Sequence, residues 1–313
     1  MPSEQPASKA APPAEMRIGV AFLARGFHPS WQHAFQRFVT SYKNFPTGIP
    51  HRLYVIYKGY HDAEHLAEGQ SCFADLPHTE IHTDDSGFDI GCYQRAARDM
   101  REELVCFLNT KSEVLCANWL RNLAKHLARP GVGLVGNTGS YESLHYKIPT
   151  IPQFPNPHIR TNAFLIRRTL FTGIAARFDI RTKTDGWMFE SGPDGLSRQV
   201  VREGLQLLVV GRAGKAYESS SWPESNTYRT ANAAPLIGDD TYREFLAGDP
   251  VFRRDEAAIT WGTPAEEAQV RASYTGRPET EQRDSLSRTL IEKPPRPLKR
   301  FVRALIKRAH SPA

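Results

Sequence analysis

Short, unbroken apolar runs alternate with amphipathic stretches from residue 17 to 136, and that alternation leaves the chain few possible folds. Arg17 to Ala24 (RIGVAFLA) is apolar without interruption, as expected for a strand buried on both faces of a parallel sheet. Gly26 and Pro29 break it, and Trp31, Phe35, Phe38, Val39 and Tyr42 then recur at helical spacing. The unit repeats. His51 to Tyr57 predicts a second strand, Asp62 to Gly69 a short helix, Thr79 to Thr83 a third strand, and Phe88 to Glu103 a helix with Ile90, Tyr93 and Ala97 on one face. Leu104 to Leu108 (LVCFL) predicts a fourth strand, Asn118 to Leu127 an amphipathic helix, and VGLVG from Val132 a fifth strand. Such alternation implies right-handed crossovers and a mostly parallel, Rossmann-like α/β sheet flanked by helices. Its first, second and fourth strands are expected to be neighbours. Open sheets of this kind bind ligands beyond the carboxyl ends of their strands. Those ends fall near Arg25–Phe27, Lys58–Tyr60, Asp84–Gly87 and Asn109–Glu113.

From Tyr141 to His158 the pattern is irregular and rich in proline and aromatics. Thr161 to Ile166 (TNAFLI) predicts another strand, Leu196 to Glu203 a helix ended by Gly204, and Leu205 to Val210 a strand closed by Gly211. Beyond Ser219 no second core is legible, and the chain reads as an irregular polar wrap with short helical pieces. Residues 1–15 hold four prolines and no aromatic residue, so they bury too little to offset their ordering entropy, and they lack the apolar centre of a signal peptide. The expected segments are a disordered tail (1–15), the α/β domain (16–218), a wrap or lid (219–292) and a basic tail (293–313).

No run approaches the ~18 apolar residues of a membrane span. Cys72, Cys92, Cys106 and Cys116 form no C-x-x-C pair, which argues against a zinc site and for a reducing, cytoplasmic location. The formal charge of +6 would suit a nucleic-acid binder, but it is concentrated in Lys293, Arg296, Lys299, Arg300, Arg303, Lys307 and Arg308. The rest of the chain is close to neutral, so no nucleic-acid partner is expected. Within the tail, Leu298, Phe301, Val302, Leu305 and Ile306 form one apolar stripe. Residues 297–310 therefore predict a terminal amphipathic helix suited to an anionic membrane surface, or docked on the domain. No G-x-G-x-x-G or P-loop motif occurs, and His28, His33, His51, His61 and His65 follow no catalytic spacing.

Several local patterns recur in a fixed order. Asp85-Ser86-Gly87-Phe88-Asp89-Ile90-Gly91 opens a helix, and a strand ends in Phe107-Leu108-Asn109. Trp119-Leu120 opens the next helix, Asn162 to Arg168 reads NAFLIRR, and Glu190 precedes a helix that ends in Gly204. Over residues 17–215 this order resembles GT-A-type glycosyltransferases of bacterial family 2 and of rhamnan-type polysaccharide assembly. The resemblance implies a GT-A-like fold. It also implies transfer of a sugar, with inversion, from a nucleotide sugar to a glycan or lipid-linked acceptor of the cell envelope, at the inner face of the membrane. It places the nucleotide sugar against Arg25, Lys58, Asp85 and Asn109. Glu190 becomes the carboxylate that takes the acceptor's proton, with Asp194 second.

The sequence departs from the family at one point. Metal-dependent members carry D-x-D after the strand ending at Leu108, where it holds Mg²⁺ or Mn²⁺ against the leaving diphosphate. Here the segment is Asn109-Thr110-Lys111-Ser112-Glu113, so no metal ligands are assigned. Lys111 as a fixed cation, a metal held elsewhere, and a non-catalytic module binding a glycan or nucleotide sugar all stay open. Each residue also has a plainer role. Asp85, Gly87 and Asp89 can meet ribose or base, or serve only to start a helix and complement its dipole. Lys111 can be solvated. Arg198 can meet phosphate or form a surface ion pair, and Glu190 and Asp194 can cap the helix from Leu196.

Overall fold

The computed structural model describes residues 17–27 and 29–274. The expected tail at 1–15, His28 and the basic segment with its stripe at 297–310 lie outside the described residues. Strand–helix units come first: β1 (Ile18–Arg25) and α1 (Trp31–Asn44), β2 (Arg52–Lys58) and α2 (Ala63–Ser71), then β3 (Thr79–His82) and α3 (Phe88–Asp99). β4 (Leu104–Leu108) follows, with the two-residue β5 (Glu113–Val114) and α4 (Trp119–Leu127). The middle of the chain gives β6 (Val132–Gly136), the short β7 (Gly139–Ser140) and β8 (His158–Ile159), β9 (Ala163–Arg167), α5 (Arg168–Ala175), α6 (Lys183–Ser191), α7 (Leu196–Arg202) and β10 (Gln206–Val210). The last part holds β11 (Ala216–Tyr217), a 3₁₀ segment at Ser219–Ser225, β12 (Ile237–Gly238), α8 (Asp240–Ala247), α9 (Pro250–Trp261) and α10 (Pro264–Tyr274).

Eight strands form one sheet in the order β11-β10-β6-β9-β4-β1-β2-β3. As the apolar runs predict, β4, β1 and β2 are parallel neighbours, and Asp85 and Asn109 follow strands that end at the same edge. Strand β1 is buried on both faces because alternate residues serve different layers. Val20 and Phe22 pack with Phe35 and Phe38 of α1, where Phe22 and Phe38 stack at 3.8 Å. Ala21 and Leu23 face the opposite layer, built from α3, α5 and α7, where Tyr93 stacks on Phe107 at 4.5 Å. Burial of such aromatic and aliphatic side chains stabilises the fold by ~1.5–3 kcal/mol each.

Strand β9 breaks the parallel pattern. It runs antiparallel between β4 and β6, with Leu108 opposite Ala163. Its first residue therefore lies at the edge where β4 ends, and the chain entering it, residues 158–162, is delivered to the carboxyl ends of β1–β4. The segment beyond Ser219 has the expected helical pieces and joins the existing core. Trp222, Tyr228 and Trp261 enter one face, and Leu236 and Ile237 the other.

Candidate active site

The first half of the site is a charged knot. Lys58 ends β2 and is 1% exposed. Its ammonium donates to the Ser86 and Phe88 carbonyls at 3.3 and 3.0 Å and lies 3.4 Å from Asp85 Oδ1. Arg25, which ends β1, forks the same carboxylate, with Nε to Oδ1 at 3.2 Å and Nη2 to Oδ2 at 3.3 Å. Asp85 thus ties two strand ends to the start of α3. It does not cap the helix, and neither does Ser86, which bonds instead to Asp84. The cap is Gly87 at φ +73°, a left-handed conformation that favours glycine. Asp89 follows in the first turn. Burial raises its carboxyl above the usual aspartate range, with Lys58 and Arg25 opposing and Glu190 adding to the rise. A cavity of about 590 Å³ opens beside the ends of β1 and β2, lined by Phe27, Trp31, His61 and His65. Phe27 is 58% exposed at its rim.

The loop after β4 is closed on itself. Asn109 Oδ1 accepts from Lys111 N at 3.1 Å and from the Ser112 hydroxyl at 3.0 Å. Lys111 Nζ reaches Ser30 Oγ at 3.0 Å and Asp240 Oδ2 at 3.1 Å. Glu113 pairs with Arg243 at 2.6 Å. The amide oxygen and the carboxylate of this loop are engaged by protein, and a lysine stands between them. This donor set does not fit Mg²⁺ or Mn²⁺, which need several oxygens free to converge. Among the described residues, no group of three or more His, Cys, Asp or Glu side chains is placed to hold a metal.

The second half of the site centres on Glu190, near the end of α6. That helix starts with a capping box between Thr182 and Asp185. Glu190 Oε2 accepts from Thr161 N at 2.7 Å and from the Thr161 hydroxyl at 2.5 Å, while Oε1 lies 3.9 Å from His158 Nε2. Burial alone would raise this carboxyl. Arg160, His158 and the Thr161 hydrogen bonds outweigh it and hold the group below the usual glutamate range, so it is ionised at neutral pH. Burial lowers His158, which keeps it neutral, and its Nδ1 bonds to the Asn156 carbonyl at 2.8 Å. Arg160 donates to the Tyr228 hydroxyl and lies 4.4 Å over that ring. Asn162 donates to Asp239 at 2.9 Å, and its carbonyl accepts from Asn109 N at 3.0 Å, joining this half to the β4 loop.

Of the residues expected at the site, the structure brings together Arg25, Lys58, Asp85, Gly87 and Asp89, and it couples Asp89 electrostatically to Glu190. Asn109 and Lys111 lie at the same edge with their side chains engaged in the loop. Asp194 pairs with Arg202 on the surface, its side chain 66% exposed. Arg198 donates to Asn156 at 2.8 Å, and Asn156 donates to the Ser191 carbonyl, so Arg198 braces the end of α6. His158, Arg160, Thr161, Asn162, Tyr228 and Asp239 were not expected. The one sequence signal for the first four was their place at a predicted strand, with His158 and Arg160 just before it and Thr161 and Asn162 opening it, which becomes informative only once that strand is known to run antiparallel.

No family profile and no curated protein matches this sequence. Among solved structures, the chain is similar to a mannosyltransferase from Pyrobaculum calidifontis in complex with GDP-Man and Mn²⁺. The two share 12% identity over 98% of this chain and 83% of that one, with a TM-score of 0.45. It is similar to GalNAc-T7 with UDP, GalNAc and Mn²⁺ at 13% identity, over 88% of this chain and 57% of that one, with a TM-score of 0.46. It is also similar to S. aureus TarS 1–349 at 12% identity, over 83% and 73% of the two chains, with a TM-score of 0.41. At this identity and overlap, the site has to be read from its own residues.

Proposed function

We propose that this chain is a GT-A-like glycosyltransferase. It moves a sugar from a nucleotide sugar to a hydroxyl of a glycan or lipid-linked acceptor, with inversion. One observation carries the reading: Glu190 is held ionised at the same sheet edge as the Arg25–Lys58–Asp85–Asp89 group. The nucleoside fits the cavity beside Phe27, next to the strand end where Arg25 holds Asp85. The acceptor approaches from the Glu190 side. Its hydroxyl oxygen forms the new bond to the anomeric carbon as the bond from that carbon to the diphosphate breaks. The electron pair of the broken bond leaves with the nucleoside diphosphate, and the hydroxyl proton passes to Glu190. Inversion follows because attack and departure use opposite faces of one carbon.

The test is a thermal-shift screen of nucleotides and nucleotide sugars, with and without Mn²⁺, followed by mass detection of product. A ligand at 100 times its Kd stabilises by ~2.7 kcal/mol, which such a screen reads easily. Glu190→Gln should keep donor binding and lower transfer ~10²–10⁴-fold, because an amide takes no proton at neutral pH. Unchanged turnover would remove Glu190 from the chemistry. The engaged β4 loop favours a second reading, a non-catalytic module that binds a glycan or nucleotide sugar. Stabilisation by a nucleotide sugar without transfer to any acceptor would select it. A place in cell-envelope polysaccharide assembly at the cytoplasmic membrane face belongs to the same proposal, supported by the basic residues of 297–310.

A further inference from the structure

Departure of a nucleoside diphosphate leaves negative charge that something must compensate, and the β4 loop offers no divalent-cation site. The cations at this edge are mostly engaged. Arg25 and Lys58 are spent on Asp85, Lys111 on Asp240 and Ser30, Arg243 on Glu113 and Asp240, and Arg198 on Asn156. Arg160 lies within the electrostatic reach of Glu190. Its Nη1 donates to the Tyr228 hydroxyl, while its Nε is buried without a hydrogen-bond partner. A guanidinium presents five donors, so most of this one's capacity is uncommitted.

Its position is fixed by the sheet. Arg160 stands three residues before Ala163, which pairs with Leu108 at the end of β4. Its own N–H bonds to the Thr138 carbonyl at 3.0 Å on the β6 side, and on the other side of the same segment the Asn162 carbonyl accepts from Asn109 N at 3.0 Å. Arg160 therefore stands two residues before Asn162, which ties this segment to the β4 loop and to Asp239. Its charge is secure. Burial works against it, but Tyr228, Glu190, Asp239 and Glu142 hold the guanidinium protonated. Tyr228 orients it from a loop that is itself anchored, since Trp261 Nε1 donates to the Tyr228 carbonyl at 2.9 Å.

We propose that Arg160 is the resident cation for the departing diphosphate, in place of a divalent metal, a role that rests on the transfer reading above. The guanidinium donates hydrogen bonds to the diphosphate oxygens. They strengthen as the sugar–oxygen bond breaks and its electron pair moves onto the leaving oxygen, and no proton or electron is exchanged with the arginine.

The experiment uses the full chain with UDP, GDP, CDP and dTDP, and their common sugar conjugates, in EDTA and again with Mn²⁺. The wild type should bind one diphosphate and transfer its sugar in EDTA, with Mn²⁺ changing the rate less than ~3-fold. Arg160→Gln should lower kcat ~10²–10³-fold, the usual loss for one stabilising donor, and weaken binding of the product diphosphate ~10-fold. Arg160→Lys should recover part of the kcat, because it restores the charge without the fork. Unfolding midpoints of both variants identify any that fail to fold. Loss of transfer in EDTA with rescue by Mn²⁺ would overturn the proposal. So would an Arg160→Gln enzyme, folded and transferring, whose diphosphate affinity is unchanged. In both cases the transfer reading survives. A wild type that binds none of the four diphosphates under either condition would overturn the two together.

Discussion

Asp89 places a carboxyl group where burial disfavours its ionised form. Burial and the facing Glu190 raise its proton affinity, and Lys58 and Arg25 only partly offset them. A group whose folded pKa lies above its unfolded value costs no stability below the unfolded value. The cost grows as pH rises between the two and is complete above the folded value. Asp89→Asn should therefore be more stable than the wild type at neutral pH, and each ~1 kcal/mol recovered raises Tm by about 2–4 °C in a chain of this size. The difference should shrink as pH falls toward the ordinary aspartate range. Donor binding should weaken in the same variant, a trade expected where a site is kept at some cost to stability. A variant no more stable than wild type at pH 7, measured by thermal unfolding across that range, would contradict this account of Asp89. Glu190 has the opposite sign. Its carboxyl is held low, so its stabilisation is present at neutral pH and is lost as pH falls through the folded value.

At the scale of elements, the start of α3 decides whether the two halves meet. Gly87 is left-handed, and a Cβ there would come within 2.9 Å of Gly91 Cα and 3.1 Å of the Ile180 carbonyl. Both contacts are with backbone, so the turn itself would have to move. Gly87→Ala should destabilise by ~1–3 kcal/mol and displace Asp85 and Asp89 together, lowering nucleotide affinity; unfolding midpoints and donor titration would show both. Ordinary stability in that variant would mean the turn is soft. This turn was legible in advance as an acid–glycine–acid cluster between a strand and a helix, as were β1, β2 and β4, because burial on both faces leaves an unmistakable apolar run. Helix α6 was not legible. It buries only Phe189 and Ser191, so it carries little apolar periodicity. The direction of β9 was hidden too, since a fully buried strand reads the same either way. With β9 taken as one more parallel strand, His158 to Asn162 would belong at the far edge of the sheet and would not read as a site.

Across the whole molecule, the described core runs from Ile18 to Val270. The segment beyond Ser219 is part of it, through Trp222, Tyr228 and Trp261. That segment also brings Tyr228 and Asp239 to the site, and the Arg229–Glu256 ion pair and the Arg229–Thr260 hydrogen bond hold the intervening loop. No helix among the described residues is long and apolar enough to cross a membrane. The proposed attachment to an anionic membrane surface rests on the basic residues of 297–310, whose charges contribute ~1 kcal/mol each near such a surface and are screened by salt. The intact chain should co-sediment with vesicles rich in anionic lipid at low salt and release at high salt. A chain ending at Glu292 should stay in the supernatant while keeping its Tm and its nucleotide binding, because the described core and site are built from residues 18–270. Equal binding by both chains, or binding by neither at low salt, would separate the tail from the membrane and leave lipid-linked acceptors without their main support.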